Sequence, residues 1–357
     1  MNIVINRASN RLFFTNRTEQ ALKIDTKMPE FSSQQTNKVT YVNGQRHVSH
    51  DQVIAEQPLQ IRLSFYEQPS LASSTSIPAI ESEQESSLEH EKNPEHENSP
   101  ELAFKPVQYS SRIFSITMRT PGDDEQLILG LLLSEGIINN INDIESIAIE
   151  QVDAKQQASV LNKENSWEVK LTKEMNVNLS SLERYQMTYS SCGLCGTTSL
   201  KALELKSPPP SPTAKHWLNA NSLGHWPNIM KKQQQLFEHT GGCHAAALFN
   251  QQGDLLLLKE DIGRHNAVDK LLGACLQEQF IERSKHQLAM VVSSRVSFEI
   301  VQKTVMAGIG VLIAVGAVSN LAILAAKRFD LTLIGFTSCE SFNLYHGQWR
   351  MLPSAKD

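Results

Sequence analysis

The C-terminal half of the chain alternates short apolar segments with predicted helices, and this alternation restricts the fold more than any other feature. The apolar segments at 288–293, 311–315 and 331–336 are continuous, which is typical of strands buried on both faces. A predicted helix precedes each of them, at 265–277, 298–307 and 319–329. Strands connected through helices form a largely parallel sheet with helices on both faces. The C-terminal half is therefore predicted to be an α/β domain with a mostly parallel sheet.

Apolar and polar residues alternate in the N-terminal part, which predicts strands with one buried face. Residues 59–65 and 113–118 show this pattern. Between them, residues 67–105 include nine glutamates and two lysines among many serines, prolines and asparagines, a composition that cannot form a core. We therefore predict a β-hairpin whose turn is expanded into a disordered acidic insertion. The remaining predicted elements are strands at 38–42, 144–152, 167–171, 244–249 and 255–259 and helices at 125–134 and 221–237.

These elements divide the chain into four predicted regions. Residues 1–37 are predicted to be a disordered tail, and residues 38–188 a smaller α+β domain that contains the acidic insertion. Residues 189–218 are predicted to be a mobile loop with two cysteines, followed by a proline-rich linker. Residues 219–357 make up the C-terminal α/β domain.

Composition and charge exclude several classes of protein. Hydrophobic residues make up 40% of the chain and the net charge is −5, so the chain lacks the basic face of a nucleic-acid binder. Five cysteines, with no apolar leader at the N-terminus, indicate a reducing compartment and predict a cytoplasmic protein. The apolar stretch 305–326 contains three glycines, Ser319 and Asn320. It is predicted to be a helix end, a buried strand and a second helix rather than a membrane span.

Cys192 and Cys195 form a Cys-x-x-Cys sequence among serines and glycines, at residues 190–196, which we call the cysteine motif. Only the thiolate form of a cysteine is a good nucleophile or metal ligand. No charged residue lies within five positions of either cysteine, and the glycines favour a mobile, accessible loop. The spacing fits half of a zinc site, a dithiol redox centre or a sulfur-carrying nucleophile.

A polar loop follows each predicted strand of the C-terminal domain, and such loops meet at one edge of a parallel sheet. The four loops lie at 260–266, 294–297, 316–320 and 337–341. Free backbone N–H groups at helix N-termini favour anions, and arginines bind phosphate in a bidentate manner. Arg264, His265, Ser294 and Arg295 are therefore candidate contacts for a phosphate-bearing or nucleotide-like ligand. Asp261 and His265 fit either an acid–base pair or helix-capping roles.

Six longer motifs occur in order along the chain. They are MRTPGDDE at 118–125, LSEGII at 133–138, SSCGLCG at 190–196, TGGCHAA at 240–246, EDIGRHNAVDKL at 260–271 and SSRVSFE at 293–299. Together they resemble the FdhD/NarQ family of formate dehydrogenase accessory sulfurtransferases. The resemblance extends over about residues 38–345 apart from the acidic insertion.

The resemblance implies a dimeric cytoplasmic protein whose C-terminal domain has a three-layer, cytidine-deaminase-like fold without deaminase chemistry. It further implies that a cysteine desulfurase supplies sulfur as a persulfide on Cys192, with Cys195 assisting transfer or release. The recipient is implied to be the molybdenum cofactor bis-molybdopterin guanine dinucleotide, bound for formate dehydrogenase. By position, the cofactor-binding stretch is Phe336, Thr337, Ser338, Cys339, Glu340 and Ser341. No structural metal is expected.

Two other functions remain open from the residues. The first is a zinc-dependent hydrolase of the deaminase type, with Cys192, Cys195 and His244 as ligands. Against it, the His-x-Glu and Pro-Cys-x-x-Cys motifs of zinc deaminases are missing, and the Cys-x-x-Cys precedes the histidine. The second is a chaperone that shelters the cofactor without thiol chemistry.

Overall fold

The computed structural model describes most of both predicted domains. The described residues are 31–67, 108–150, 163–175, 200–201, 203–204, 206, 208–280 and 287–353. The first 30 residues, residues 68–105 of the acidic insertion and the cysteine motif lie outside these ranges. The roles assigned to Cys192 and Cys195 therefore stay predictions.

The first described element is a two-stranded antiparallel ribbon of β1 (Ser33–Val42) and β2 (Gln45–Ile54). Asn43 and Gly44 connect the strands with φ values of 50° and 79°, as a type I′ turn requires. The sequence pattern predicts only a strand at 38–42, with the preceding residues in a disordered tail. That boundary is wrong, because β1 begins at Ser33. The Asn-Gly pair is the turn signal that would have predicted β2.

A four-stranded sheet follows, in the order β4-β3-β6-β5. The elements of this part of the chain are β3 (Gln57–Glu67), β4 (Gln108–Arg119), α1 (Asp124–Ser134), a 3-10 turn (Ile141–Asp143), β5 (Ile144–Ile149), a second 3-10 turn (Lys163–Asn165) and β6 (Ser166–Leu171). The antiparallel pairing of β3 with β4 confirms the hairpin on either side of the acidic insertion. Leu59, Ile61, Leu63 and Phe65 are buried, as their alternation predicted.

The C-terminal domain is built on a six-stranded sheet in the order β12-β11-β10-β9-β7-β8. Its elements are α2 (Ala220–Leu223), α3 (Trp226–Lys232), α4 (Gln235–Thr240), β7 (His244–Phe249), β8 (Leu255–Asp261), α5 (Arg264–Gln277), β9 (Ala289–Val292), α6 (Phe298–Met306), β10 (Val311–Ala314), α7 (Asn320–Arg328), β11 (Thr332–Gly335), β12 (Asn343–His346) and a 3-10 turn (Gln348–Arg350). The alternation of strands and helices is confirmed. The sheet is mixed, because β7 and β12 run opposite to the other four strands.

Both faces of this sheet are covered, which gives three layers. On one face, side chains such as Leu248 and Leu312 belong to a core that also includes α5, α6, α7 and the N-terminal sheet. On the other face, Phe249 and Ile313 pack with Trp226 of α3. The first core is continuous from Leu59 in β3 to the C-terminal helices, so both predicted domains share it.

Helices α1 and α5 approach each other at backbone distance. A methyl group on Gly130 of α1 would overlap the carbonyl oxygen of Asp269 and lie 2.6 Å from its carbonyl carbon. A methyl group on Gly273 of α5 would lie 2.6 Å from the carbonyl carbon of Gln126. This contact fixes the N-terminal part against the helix that begins at the candidate site.

Two predictions about helices have different outcomes. The single helix predicted at 221–237 is wrong, because three short helices occupy this stretch. Gly224 ends the first of them, and Pro227 lies in the first turn of the next, where its missing N–H is not needed. The interpretation of 305–326 is confirmed, because it contains the end of α6, β10 and most of α7. Among the described residues, no helix is long and apolar enough to cross a membrane.

Candidate functional site

The four polar loops lie at one edge of the six-stranded sheet, as predicted. Strands β9, β10 and β11 are parallel, and β8 runs in the same direction because both β8 and β9 are antiparallel to β7. The C-terminal ends of β8, β9, β10 and β11 therefore share one edge, which we call the carboxyl edge. His244, at the start of β7, pairs with Asp261 at the end of β8 and lies at this edge too.

Asp261 holds the first loop in place from the interior. Its side chain is fully buried and forms an ion pair at 2.8 Å with Lys270, which is 1% exposed. Its carboxylate also accepts hydrogen bonds from the N–H of Gly263 at 2.8 Å, the N–H of Thr120 at 3.1 Å and the side-chain amide of Asn266 at 3.2 Å. The loop that leads into α5 is thus fixed to the N-terminal domain.

His265 is paired with a glutamate on a different helix. Its Nε2 atom lies 3.1 Å from Oε2 of Glu299 in α6. The acid–base pair of Asp261 and His265 is therefore wrong, because Asp261 is bound to Lys270 and its neighbours. The contact with His265 is the largest cause of a lowered pKa of Glu299, which falls to about 2. Only the three-dimensional packing of α5 against α6 brings these residues together.

The second and third loops support each other through backbone contacts. The N–H of Val296 donates to the carbonyl of Ala317 at 2.9 Å. A methyl group on Gly316 would lie 3.0 Å from both the carbonyl oxygen of Ser294 and the N–H of Arg295, so a larger residue there would press on this loop. Arg295 itself is exposed, whereas Ser294 is buried and its hydroxyl donates to the carbonyl of Arg295 at 2.9 Å. Ser294 therefore shapes the loop that presents Arg295.

Several cationic groups surround His244 at the carboxyl edge. Burial lowers the pKa of His244, the charges of Arg264, Arg295 and His265 lower it further, and the charge of Asp261 opposes them. Ser293 Oγ accepts the N–H of Ala245 at 2.9 Å and lies 3.5 Å from His244 Nδ1. Among the described residues, neither arginine lies within 4.0 Å of a carboxylate. The two guanidinium groups are thus available to an anion.

The last loop is held at the same edge by its backbone. The N–H of Phe336 donates to the carbonyl of Gly316, and the N–H of Thr337 to the carbonyl of Ala314, both at 3.0 Å. Phe336 has a φ of 52°, and its side chain is 51% exposed. Thr337 is buried, and its hydroxyl has no hydrogen-bond partner among the described residues. The backbone of this stretch thus joins the loops after β10 and β11.

The remainder of the last loop is a compact turn closed by Ser338. The Ser338 hydroxyl accepts the N–H of Ser341 at 3.2 Å and that of Glu340 at 3.4 Å. Cys339 is exposed, and its sulfur accepts a hydrogen bond from the side-chain amide of Asn228 at 2.9 Å. The predicted cofactor-binding stretch therefore lies beside α3 at the carboxyl edge.

The other described cysteines are thiols without a catalytic environment. Cys243 is buried immediately before β7, and its sulfur donates to Glu260 Oε1 at 3.2 Å. Burial and the charge of Glu260 raise the pKa of Cys243. Burial also raises the pKa of Cys275 to about 12. Both buried thiols are therefore assigned structural roles.

The proline-rich linker that follows the cysteine motif is held at the opposite edge of the sheet. Ser211 donates to the carbonyl of Asp330 at 2.9 Å, and Pro212 packs beside Gly310. Arg350, which is 1% exposed, donates to Ser211 Oγ at 2.9 Å and to the carbonyl of Asp330 at 2.8 Å. Gly310 and Asp330 precede β10 and β11. The linker is therefore anchored away from the four polar loops.

Comparison with protein families gives a match over most of the chain. The FdhD/NarQ family model matches residues 105–352. A Streptomyces coelicolor protein named sulfur carrier protein FdhD is 42% identical over 249 residues, which cover 69% of this chain and 86% of the relative. A Saccharolobus solfataricus protein of the same name is 40% identical over 232 residues, or 65% of this chain and 81% of the relative.

A solved structure has a similar fold. It is the crystal structure of a protein described as a formate dehydrogenase accessory protein from Desulfotalea psychrophila. The TM-score is 0.57, and the match covers 90% of this chain and 99% of the other. The two sequences are 20% identical, so the likeness concerns the fold.

Proposed function

The chain belongs to the FdhD/NarQ family, and we propose on this basis that it is a sulfur carrier that serves formate dehydrogenase. Relatives about 40% identical are named sulfur carrier proteins. The observation in this chain that carries the proposal is the carboxyl edge, where Arg264, Arg295 and His265 converge and both arginines lack an ion-pair partner among the described residues. A carrier that delivers sulfur to a nucleotide-bearing cofactor needs such an anion-binding surface.

The proposed substrate is the molybdenum cofactor bis-molybdopterin guanine dinucleotide, whose phosphates would bind at the carboxyl edge. Arg264 and Arg295 offer planar guanidinium groups that match phosphate oxygens. Helices α5 and α6 begin at this edge, and their first N–H groups favour negative charge. The stretch 336–341 lies at the same edge and would contact the nucleotide portion of the substrate.

The proposed sulfur chemistry takes place on Cys192. A cysteine desulfurase persulfide would transfer its outer sulfur to the Cys192 thiolate, which gives a Cys192 persulfide and a desulfurase thiolate. The Cys195 thiolate would then attack the inner sulfur of Cys192. This step forms a Cys192–Cys195 disulfide and releases hydrosulfide for the substrate, so the two electrons that reduce the sulfur come from the two cysteines. A cellular dithiol reductant would restore both thiols.

The proposed partners follow from these steps. A cysteine desulfurase supplies the sulfur, and formate dehydrogenase receives the sulfurated cofactor. Homodimerisation and a cytoplasmic location remain predictions from the sequence.

Removal of the two arginines tests the substrate site. We expect GDP, used as a probe for the nucleotide portion, to bind the full-length protein in isothermal titration calorimetry. Each of Arg264→Ala and Arg295→Ala should weaken binding by about tenfold or more, because a hydrogen bond to a charged group is worth about 1.5–3 kcal/mol. Arg328→Ala is the matched control, since this exposed arginine lies at the C-terminal end of α7 and pairs with Glu204. Unchanged GDP affinity in the Arg264→Ala/Arg295→Ala double variant would refute the site.

A further inference from the structure

Glu299 places a carboxylate among the cationic groups of the carboxyl edge. Its Oε2 atom accepts a hydrogen bond from Ser297 Oγ at 3.1 Å and lies 3.1 Å from His265 Nε2. The interaction with His265 lowers the pKa of Glu299 most, and the Ser297 hydrogen bond and the charge of Arg264 add to it. With a pKa of about 2, Glu299 is ionised at neutral pH. A negative charge is therefore built into a surface that otherwise favours anions.

The two groups that Glu299 contacts, a hydroxyl and an imidazole nitrogen, are of the kinds that can donate hydrogen bonds to phosphate oxygens. Ser297 is the N-cap residue of α6, but its hydroxyl does not cap the helix and donates to Glu299 instead. His265 is the second residue of α5, next to Arg264. Helices of this length leave their first N–H groups without intrahelical partners. The Glu299 carboxylate therefore lies near two helix N-termini, where it accepts the Ser297 hydroxyl and contacts His265.

We propose that Glu299 acts as an internal anion that occupies part of the phosphate site and is displaced when the ligand binds. This inference rests on the proposed function, because it requires an anionic ligand at the carboxyl edge. The Glu299 side chain is 60% exposed, so its movement into solvent breaks no core packing. Displacement leaves the Ser297 hydroxyl and His265 Nε2 free to bind a phosphate oxygen. Return of the carboxylate would favour ligand release, which a carrier needs when it passes its substrate to the recipient.

The Glu299→Gln variant tests this role by calorimetry with GDP. The substitution removes the charge and keeps the size of the side chain. We expect GDP to bind about three- to fivefold more tightly, the range typical of a partly exposed charge interaction. Glu278→Gln is the matched control, because Glu278 is exposed and lies at the other end of α5. It should leave the GDP affinity unchanged.

The outcomes separate this inference from the function on which it rests. If the unsubstituted protein binds GDP and Glu299→Gln binds it equally well, the internal-anion role is wrong and the proposed site stands. Weaker binding by Glu299→Gln would also overturn the inference, because it would show that Glu299 positions His265 for the ligand. If the unsubstituted protein does not bind GDP, the proposed site and this inference fail together.

Discussion

Substitution of Asp261 by asparagine should strongly destabilise the protein, because this residue joins the candidate site to the interior. Asp261 is fully buried and its carboxylate receives the Lys270 ammonium at 2.8 Å. Two backbone N–H groups and the Asn266 amide donate to the same carboxylate. An asparagine of equal size keeps one oxygen as an acceptor. It replaces the other oxygen with an NH2 group, which donates hydrogen bonds and carries no charge. Lys270 would then carry an unpaired charge at 1% exposure.

The expected magnitude follows from this burial. Breaking a buried ion pair by removal of one partner costs about 3–5 kcal/mol, since the remaining charge is left in the interior. Lys270 retains one other short contact, to the carbonyl of Thr120 at 2.8 Å, which cannot neutralise it. We therefore expect the free energy of unfolding to fall by about 3–5 kcal/mol for Asp261→Asn. Binding of GDP should weaken as well, because Asp261 fixes the loop before Arg264.

Urea unfolding monitored by circular dichroism is the assay, and the chain offers a close control. Asp51→Asn removes the same charge from an Asp–Lys pair, Asp51 with Lys38 at 3.0 Å, whose side chains are 42% and 47% exposed. This control should change stability by less than about 1 kcal/mol. A second variant, Lys270→Met combined with Asp261→Asn, should recover part of the loss. Equal effects of Asp261→Asn and Asp51→Asn would refute the reasoning.

Three further predictions concern packing, acid stability and thiol reactivity. Gly130→Ala should destabilise the protein by about 1–3 kcal/mol in the same unfolding assay, because the new methyl group must separate α1 from α5; an effect well below about 1 kcal/mol would contradict the close contact. The lowered pKa of Glu299, about 2 against an ordinary 4.5, contributes stability that is present above pH 4.5 and lost as the pH falls toward 2. Glu299→Gln should remove that part of the pH dependence, and an identical stability profile for both proteins would contradict the pairing. Iodoacetamide at pH 8 should alkylate Cys339 before Cys243 and Cys275, as peptide mass spectrometry would show, because burial raises the pKa of the last two thiols; equal labelling would contradict their burial.

Local patterns were sufficient to predict most elements of the fold. The continuous apolar segments became β9, β10 and β11, because strands buried on both faces exclude polar residues. The shared direction of these strands then placed the four loops at one edge, which is why Arg264 and Arg295 were predicted together. The alternation in β3 and β4 likewise predicted their pairing across the acidic insertion.

Features that depend on tertiary contacts were missed. The partnership of His265 with Glu299 joins residues 34 positions apart on two helices, and no local pattern specifies it. Asp261 was predicted as a possible acid–base group, yet its partner Lys270 lies on the buried side of α5. Strand β12 was missed because its four residues are too short for a reliable period. By contrast, the Asn43-Gly44 pair is a local signal for the type I′ turn, so β2 was predictable from the sequence.

The most direct test of the proposed function is the mass of the protein after incubation with a cysteine desulfurase and cysteine. Intact mass spectrometry should show a gain of about 32 Da, one sulfur atom, that a reductant removes. Peptide mapping should place the sulfur on Cys192, and Cys192→Ala should abolish the adduct while Cys339→Ser retains it. An adduct that persists in Cys192→Ala, or no adduct on the unsubstituted protein, would contradict the sulfur-carrier account.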